Sequence, residues 1–544
     1  MLVFGTKTVR LIKKFLNDKA NNIFNCINHV PKRQCWYKFF ITFGVFLFSY
    51  FLIYRNNSFF NGDMGIVGLI TQDFKSGKFY SWFFYGQDYF GNLEPFILAI
   101  LTFFSGLSIK TLYFWEHFFY FLSTLLLICS IKNCRVWQII LFPIFLFFAV
   151  RFYYFTYAPQ GFAFANLIII SFFFLLNKFY LNEINNYSLV GFLVGVFTGL
   201  SLWHYQLYVI ITPIFFLILI NKKLSQKEKI KLKSIFFYFL GLCLGIIPFV
   251  LSTISSNFRN IETLIGSGSN SSNSFVSNLI LKFYNSTLMY LKDFFYYFLD
   301  VDGLSKNMEF KKNLFHLLEL RNIWGLVILF AVIFLLIYSF KFWRENLIIY
   351  LFLFLMMFLL LYRGNPFPHT QGLFGTIRYS IPVYSLIYFL MFKTIVKIFY
   401  DFHNKNLVAK NSILVFASMY LIVSLCIFSL SNIKNIYVNS YLGKQSYEIV
   451  LDDLKSLNVK YLYCEDFYEM CATLAFIGYD YGLQVQIVDF YNGSKRNPRV
   501  QNISDKVVKS DKIMSLVKKA KESDNVVKTY IGGNGNKYYL IENY

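Results

Sequence analysis

Residues 205–220 read YQLYVIITPIFFLILI, residues 221–233 read NKKLSQKEKIKLK, and residues 234–253 read SIFFYFLGLCLGIIPFVLST. Two apolar runs flank a short segment packed with lysine. Each run approaches the roughly 20 residues that a helix needs to cross the hydrocarbon core. Lysine and arginine collect in cytoplasmic loops, so the segment between the runs reads as an inner turn. This stretch is a helical hairpin in a membrane, and it fixes which side its turn faces.

The same pattern repeats in both directions. Apolar runs at 39–54, 111–131, 136–152, 160–180, 187–203, 322–340, 346–362, 379–397 and 411–431 bring the set to about eleven spans. The run 94–107 is shorter and suits a helix lying at the interface. Residues 1–38 carry Lys7, Arg10, Lys13, Lys14, Lys19, Lys32, Arg33 and Lys38 against Asp18 alone, which places them in the cytoplasm. Alternation then puts Lys132, Arg135, Lys178, Lys341, Arg344, Lys393, Lys397, Lys405 and Lys410 on the same side. The outer loops become 55–110, 254–321 and 363–378.

Residues 432–544 have balanced charge and no span. Strand-like runs at 459–463 and 485–489 alternate with stretches read as helical at 445–457 and 510–522. The expected fold is a polytopic α-helical membrane protein with a C-terminal extramembrane α/β domain. Its parts are a cytoplasmic segment 1–38, a membrane domain 39–431 and an outer soluble domain 432–544. The expected location is a bacterial inner membrane, with the N-terminus cytoplasmic and the C-terminal domain periplasmic or extracellular. Residues 1–38 are too long and too basic for a cleavable signal peptide.

Composition agrees. The 544 residues are 56% hydrophobic and 15% charged, whereas a soluble domain runs near ~25% charged. The net charge of +23 would suit nucleic acid, but the basic residues sit in loops of one side. No nucleic-acid partner is expected; membrane lipids are. The abundant Phe and Tyr fit a lipid-facing protein and an AT-rich genome, so no single Phe is read as a site. Most cysteines lie in or beside apolar runs, where a free thiol behaves as a small hydrophobe. None has zinc spacing, and neither a metal nor a cofactor is expected, although a divalent cation stays open. Cys464 and Cys471 are the two cysteines of the outer domain. They would pair in an oxidising compartment if their geometry allows, and otherwise stay as buried thiols.

The outer loops hold the residues with chemistry. Asp63, between Gly62 and Gly65, reads either as a general base where backbone can approach a ligand or as a solvated loop acid. Arg378 opens a span from outside. It reads either as a phosphate ligand at a helix N-terminus or as an arginine reaching for headgroups. Trp203, His204 and Tyr205 interrupt apolar sequence, which suits a cavity wall or an interfacial aromatic belt. Further substrate-binding candidates are Tyr85, Gln87, Asp88, Glu94 and His369.

Three motifs and the layout carry a resemblance. They are Gly62-Asp63-Met64 after the first span, Tyr85-Gly86-Gln87-Asp88-Tyr89-Phe90-Gly91-Asn92-Leu93-Glu94-Pro95 on an expected interfacial helix, and Arg378-Tyr379-Ser380-Ile381-Pro382 opening a late span. With a soluble domain closing the chain, this arrangement resembles the GT-C class of membrane glycosyltransferases. It is most similar to glycosyltransferase family 39, the group of protein O-mannosyltransferases and aminoarabinose transferases. The resemblance implies transfer of a sugar from a polyprenyl-phosphate donor to a hydroxyl of a lipid, glycan or protein on the outer face. It implies inversion, Asp63 as general base, and Arg378 with Tyr379 at the departing phosphate. Many members have Asp-Glu where this chain has Asp63-Met64, so the second carboxylate is absent; Glu94 or Asp88 are the stand-ins. The chain lacks the Trp-Trp-Asp of oligosaccharyltransferases. Three other readings compete: a lipid-linked sugar flippase or transporter, an O-antigen-type polymerase or ligase with its large loop at 254–321, and a membrane subunit without catalysis.

Overall fold

The computed structural model describes residues 32–54, 62–79, 81–85, 91–131, 136–148, 162–204, 206–226, 232–255, 258, 320–363, 374–405, 412–439, 446–465, 470–487, 512–521, 524–531 and 537–542. A helix stands at every position read as a span. These are α1 (Lys32–Tyr54), α4 (Ile109–Ser130), α5 (Val136–Phe148), α6 (Phe162–Tyr180), α7 (Tyr187–Trp203), α8 (Ile211–Gln226), α9 with α10 (Leu232–Gly245, Ile247–Ser255), α11 (Leu320–Ser339), α12 (Trp343–Arg363), α13 (Phe374–Lys405) and α14 (Ser412–Asn439). Between α1 and α4 lie two shorter helices, α2 (Gly62–Lys75) and α3 (Leu93–Ser105). Among the described residues, Ile109–Ser130, Phe162–Tyr180, Leu232–Ser255 and Ile381–Phe399 are long and apolar enough to cross a membrane by length and composition alone.

Two local devices set these helices. Ser108 and Thr111 form a reciprocal capping box at the start of α4, satisfying amides that have no partner in the first turn. The Asn186 side chain accepts from the Leu189 amide at the start of α7. Association then rests on close packing, because lipid is as apolar as the side chains. The tightest seam joins α7 to α9. Gly191, Gly195 and Gly199 face Gly241 and Gly245, and the space of each missing Cβ is taken by backbone of the other helix. Elsewhere rings act as joints: Phe142 of α5 meets Phe392 of α13 at 4.9 Å, and Phe173 of α6 meets Phe389 of α13 at 5.5 Å.

Polar ties join several helix ends. Lys38 donates to the Ile131 carbonyl at 2.6 Å, Lys222 bonds Asn182, and Lys393 bonds Asn346 at 2.8 Å. Lys397 pairs with Glu345 at 2.9 Å. Each joins elements read as inner.

The C-terminal part is a five-stranded sheet in the order β2-β1-β3-β5-β4. Its strands are β1 (Tyr461–Cys464), β2 (Gln484–Ile487), β3 (Ile513–Val517), β4 (Val526–Ile531) and β5 (Lys537–Glu542). Helix α15 (Ser446–Ser456) precedes β1, and α16 (Ala472–Gly478) crosses from β1 to its parallel neighbour β2. β3 pairs parallel with β1 and antiparallel with β5. The stretch 510–522, expected to be helical, instead contains β3. Met514 and Leu516 are buried while Ile513, Ser515 and Val517 are less so, a period of two. The two neighbouring strands satisfy its backbone on both sides.

The glycine seam generates a test. Gly195→Ala places a methyl against the Tyr238 carbonyl, and overpacking of this kind costs about 1–3 kcal/mol. The variant in detergent is expected to unfold several degrees below wild type. An unshifted midpoint would mean that the seam opens without cost.

Candidate active site

Asp63 sits in the first turn of α2, half-buried, where a carboxylate complements the positive end of the helix. The residues that follow are almost wholly enclosed: Met64, Ile66, Val67, Leu69 and Ile70 are at most 1% exposed. The Met64 sulfur accepts from the Tyr113 hydroxyl of α4 at 3.6 Å. The segment is thus a helix, not the loop expected from its glycines. Gly65 does not present bare backbone to a ligand either. A Cβ there would lie 2.5 Å from the Thr473 amide nitrogen and 2.7 Å from the Ala472 carbonyl carbon. The ring of Phe476 takes the corresponding place over Gly68, 2.8 Å from a Cβ there. The glycines are the seat for α16.

A disulfide between Cys464 and Cys471 secures that seat. Their Cα atoms are 5.7 Å apart, and both residues are buried. The bridge joins the end of β1 to the turn that begins α16, one residue before Ala472. The C-terminal sheet is therefore stapled where it meets the helix of Asp63.

The far end of α2 carries a second carboxyl. Asp73 is 2% exposed and accepts from the Tyr85 hydroxyl at 2.6 Å. Hydrogen bonds to a charged partner contribute about 1.5–3 kcal/mol. Tyr85, a substrate-binding candidate, is itself buried and engaged in this bond. The stretch 85–95 is not one helix. Phe83 and Gly91 form an isolated antiparallel bridge, and Asn92 donates to the Ser81 and Phe83 carbonyls at 3.0 and 2.7 Å. Only Leu93, Glu94 and Pro95 lie on α3, where Pro95 fits because first-turn amides need no helical acceptor.

Glu94 is 1% exposed and meets the carboxyl of Glu116, which is fully buried on α4. The next residue, His117, is stacked on Phe46 at 5.4 Å and edged by Phe147 at 5.0 Å. Glu116 and His117 were not among the residues expected to carry chemistry. An ionisable pair within an apolar span was the signal available, since such residues face a bundle interior.

His204 and Trp203 latch the end of α7 to this region. The Trp203 indole donates to the Trp82 carbonyl at 2.9 Å, and His204 Nδ1 lies 2.8 Å from the Gly91 carbonyl. Gly91 must be glycine here, because a Cβ would meet the Trp203 ring at 2.7 Å. Burial lowers the His204 pKa to about 4, against a smaller opposing effect of the Gly91 bond. The imidazole is neutral near pH 7 and donates from Nδ1 to that carbonyl.

Arg378 and Tyr379 lie in the second turn of α13, not at its first residue, and their side chains are outside the description. Gln87, Asp88 and His369 lie outside the described residues. No group of three or more His, Cys, Asp or Glu suited to a metal occurs among the described residues.

The seat of Gly65 is directly testable. Gly65→Ala is expected to lift α16 off α2 and to expose the C-terminal sheet to protease in membranes, with Cys464–Cys471 still intact. Protease resistance equal to wild type would show that the contact is not holding the sheet.

Comparison with solved structures finds ArnT from Cupriavidus metallidurans in the apo state. The TM-score is 0.54 at 10% identity, over 94% of this chain and 99% of that chain. ArnT bound to undecaprenyl phosphate gives 0.51 at 10% identity, over 92% and 97%. No family model and no curated protein sequence matches the chain. At this identity the likeness shows the fold. The chain shares the fold of these two structures.

Proposed function

We propose that this chain is a membrane glycosyltransferase. It moves a sugar from a polyprenyl-phosphate donor to a hydroxyl of a lipid, glycan or protein on the outer face. The observation that carries the reading is the likeness to ArnT over nearly the whole of both chains, one of the matched structures holding undecaprenyl phosphate. The Cys464–Cys471 bridge supports an oxidising compartment for the C-terminal sheet. The one-sided lysine ties support about eleven crossings with the N-terminus inside.

In this reading Asp63 takes the proton of the acceptor hydroxyl as its oxygen attacks the anomeric carbon. The new carbon–oxygen bond forms on one face while the bond to phosphate breaks on the other. Polyprenyl phosphate leaves with the electron pair, and the configuration inverts. Arg378, with Tyr379, holds the departing phosphate, where a fixed cation stabilises the transition state more than the ground state. Glu94 or Asp88 stands in for the second carboxyl that Met64 does not supply.

Asp63→Asn keeps size and most hydrogen bonding but removes the base. Transfer by the purified variant is expected to fall by about 10²–10⁴-fold, with donor binding retained. Turnover near wild type would remove Asp63 from the mechanism. Donor carried across the membrane with its sugar still attached would favour the flippase.

A further inference from the structure

The turn between α11 and α12 gathers cations from two parts of the chain. Helix α11 ends at Ser339, a short 3-10 turn spans Phe340–Phe342, and α12 begins at Trp343. Lys393 and Lys397 reach this turn from α13, and both are engaged there. Lys393 donates to the Asn346 side chain at 2.8 Å and to the Glu345 carbonyl at 3.3 Å. Lys397 pairs with the Glu345 carboxylate at 2.9 Å, and its ammonium lies 3.5 Å from the centre of the Phe342 ring. Lys341 and Arg344 sit on the turn itself and are exposed. Lys341 stands 5.6 Å over the Tyr338 ring, and Arg344 stands 5.6 Å over the Trp343 ring. A ring occupies one side of a cation and leaves its other N–H groups for an acceptor. Among the described side chains of this turn, four cations therefore stand against the one carboxylate of Glu345, which Lys397 already engages. Two of the four hold the turn together, and the two exposed ones carry the surplus of positive charge.

An apolar stripe leads to that surplus. Phe330, Phe334 and Ile337 of α11 are exposed, while Val332 and Leu335 are buried. With Lys341 the exposed three fall at intervals of three and four residues, which is one face of a helix. The rise from residue 330 to residue 341 is about 16 Å, close to one leaflet of a hydrocarbon core roughly 30 Å thick. At the charged end Phe340 and Trp343 are exposed as well, and Trp is a side chain that settles at headgroup level. The combination selects a kind of ligand. A free phosphate would use the cations and leave the stripe bare. A zwitterionic lipid would cover the stripe but bring its own ammonium to the cations. A lipid with a net negative headgroup uses both: its phosphate oxygens accept from the Arg344 fork and the Lys341 ammonium, and an acyl chain covers the stripe.

We propose that the α11–α12 turn binds one acidic glycerophospholipid, on the side of the membrane read as inner. The site is separate from the donor site of the transferase reading and does not depend on it. Lys397, which packs on this turn, is about 28 Å along α13 from Arg378. Juxtamembrane cations attract anionic headgroups in general; what distinguishes this turn is that its apolar stripe and its exposed cations lie in one register.

The test uses the purified full chain, stripped of lipid in a neutral detergent, with native mass spectrometry reading each lipid that is added back. Wild type is expected to bind one phosphatidylglycerol about tenfold more tightly than phosphatidylcholine, the effect of two cations that each contribute about fivefold at most. Arg344→Gln and Lys341→Gln are each expected to weaken phosphatidylglycerol binding by about fivefold. Lys223→Gln, which removes an exposed cation from the last turn of α8, is expected to leave it unchanged. Without acidic lipid, Arg344→Gln should unfold at the wild-type temperature. Equal affinity of wild type for the two lipids would overturn the proposal. So would a loss in Lys223→Gln as large as that in Arg344→Gln, or a lowered midpoint of Arg344→Gln without acidic lipid. Displacement of phosphatidylglycerol by an equal concentration of inorganic phosphate would mean a free-anion site, and tighter binding of polyprenyl phosphate would assign the turn to that carrier. Either result overturns the proposal as well.

Discussion

The backbone of Ala472 and Thr473 lies where a Cβ of residue 65 would be. Two chain segments far apart in sequence meet there without an intervening side chain. Such contact tolerates no alternative residue, since backbone cannot change rotamer to make room. It aligns α16 with α2, and with it the sheet that α16 crosses. The disulfide one residue earlier restrains the same turn. The half-buried carboxylate of Asp63 therefore stands at a junction whose partners are held from both sides. The glycine seam between α7 and α9 uses the same physics inside the membrane part.

The buried polar groups near α2, α3 and α7 are held in different ways. Asp73 accepts a hydrogen bond from Tyr85, and His204 Nδ1 is bonded to the Gly91 carbonyl. Glu94 and Glu116 instead meet each other in a buried setting. Two carboxyls buried away from water are costly to fold around. In the proposed mechanism the phosphate ligand comes from α13.

Much of the fold was legible because membrane spans announce themselves by length and hydrophobicity. The lysines of 221–233 were the basis for reading a direction, and Lys38 and Ile131, which are hydrogen-bonded, belong to elements assigned to the same side. Helix α2 was not legible. Gly62, Gly65 and Gly68 lower helix propensity by about 1 kcal/mol each relative to alanine, so the segment looked like a loop. Tertiary packing against α16 reverses that preference, and no local signal reports a partner some 400 residues away. The same holds for 510–522, where the flanking strands β1 and β5 decide for strand. Of the candidate site, Asp63 and Glu94 were proposed from their position after the first span. Glu116 and His117 were visible as polar residues in an apolar run, but their meaning came only from the burial and the facing carboxyl. The pairing of Cys464 with Cys471 needed geometry, because a spacing of seven residues does not say whether a strand and a helix return to within bridging distance.

The central claim is that a sugar–phosphate bond is broken and a new glycosidic bond formed. The purified full chain, supplied with a polyprenyl-phosphate sugar of known anomeric configuration and a hydroxyl acceptor, should release free polyprenyl phosphate. The glycosylated acceptor should carry the inverted configuration, as read by mass spectrometry and NMR. Recovery of intact donor under conditions where the protein binds it would contradict the account.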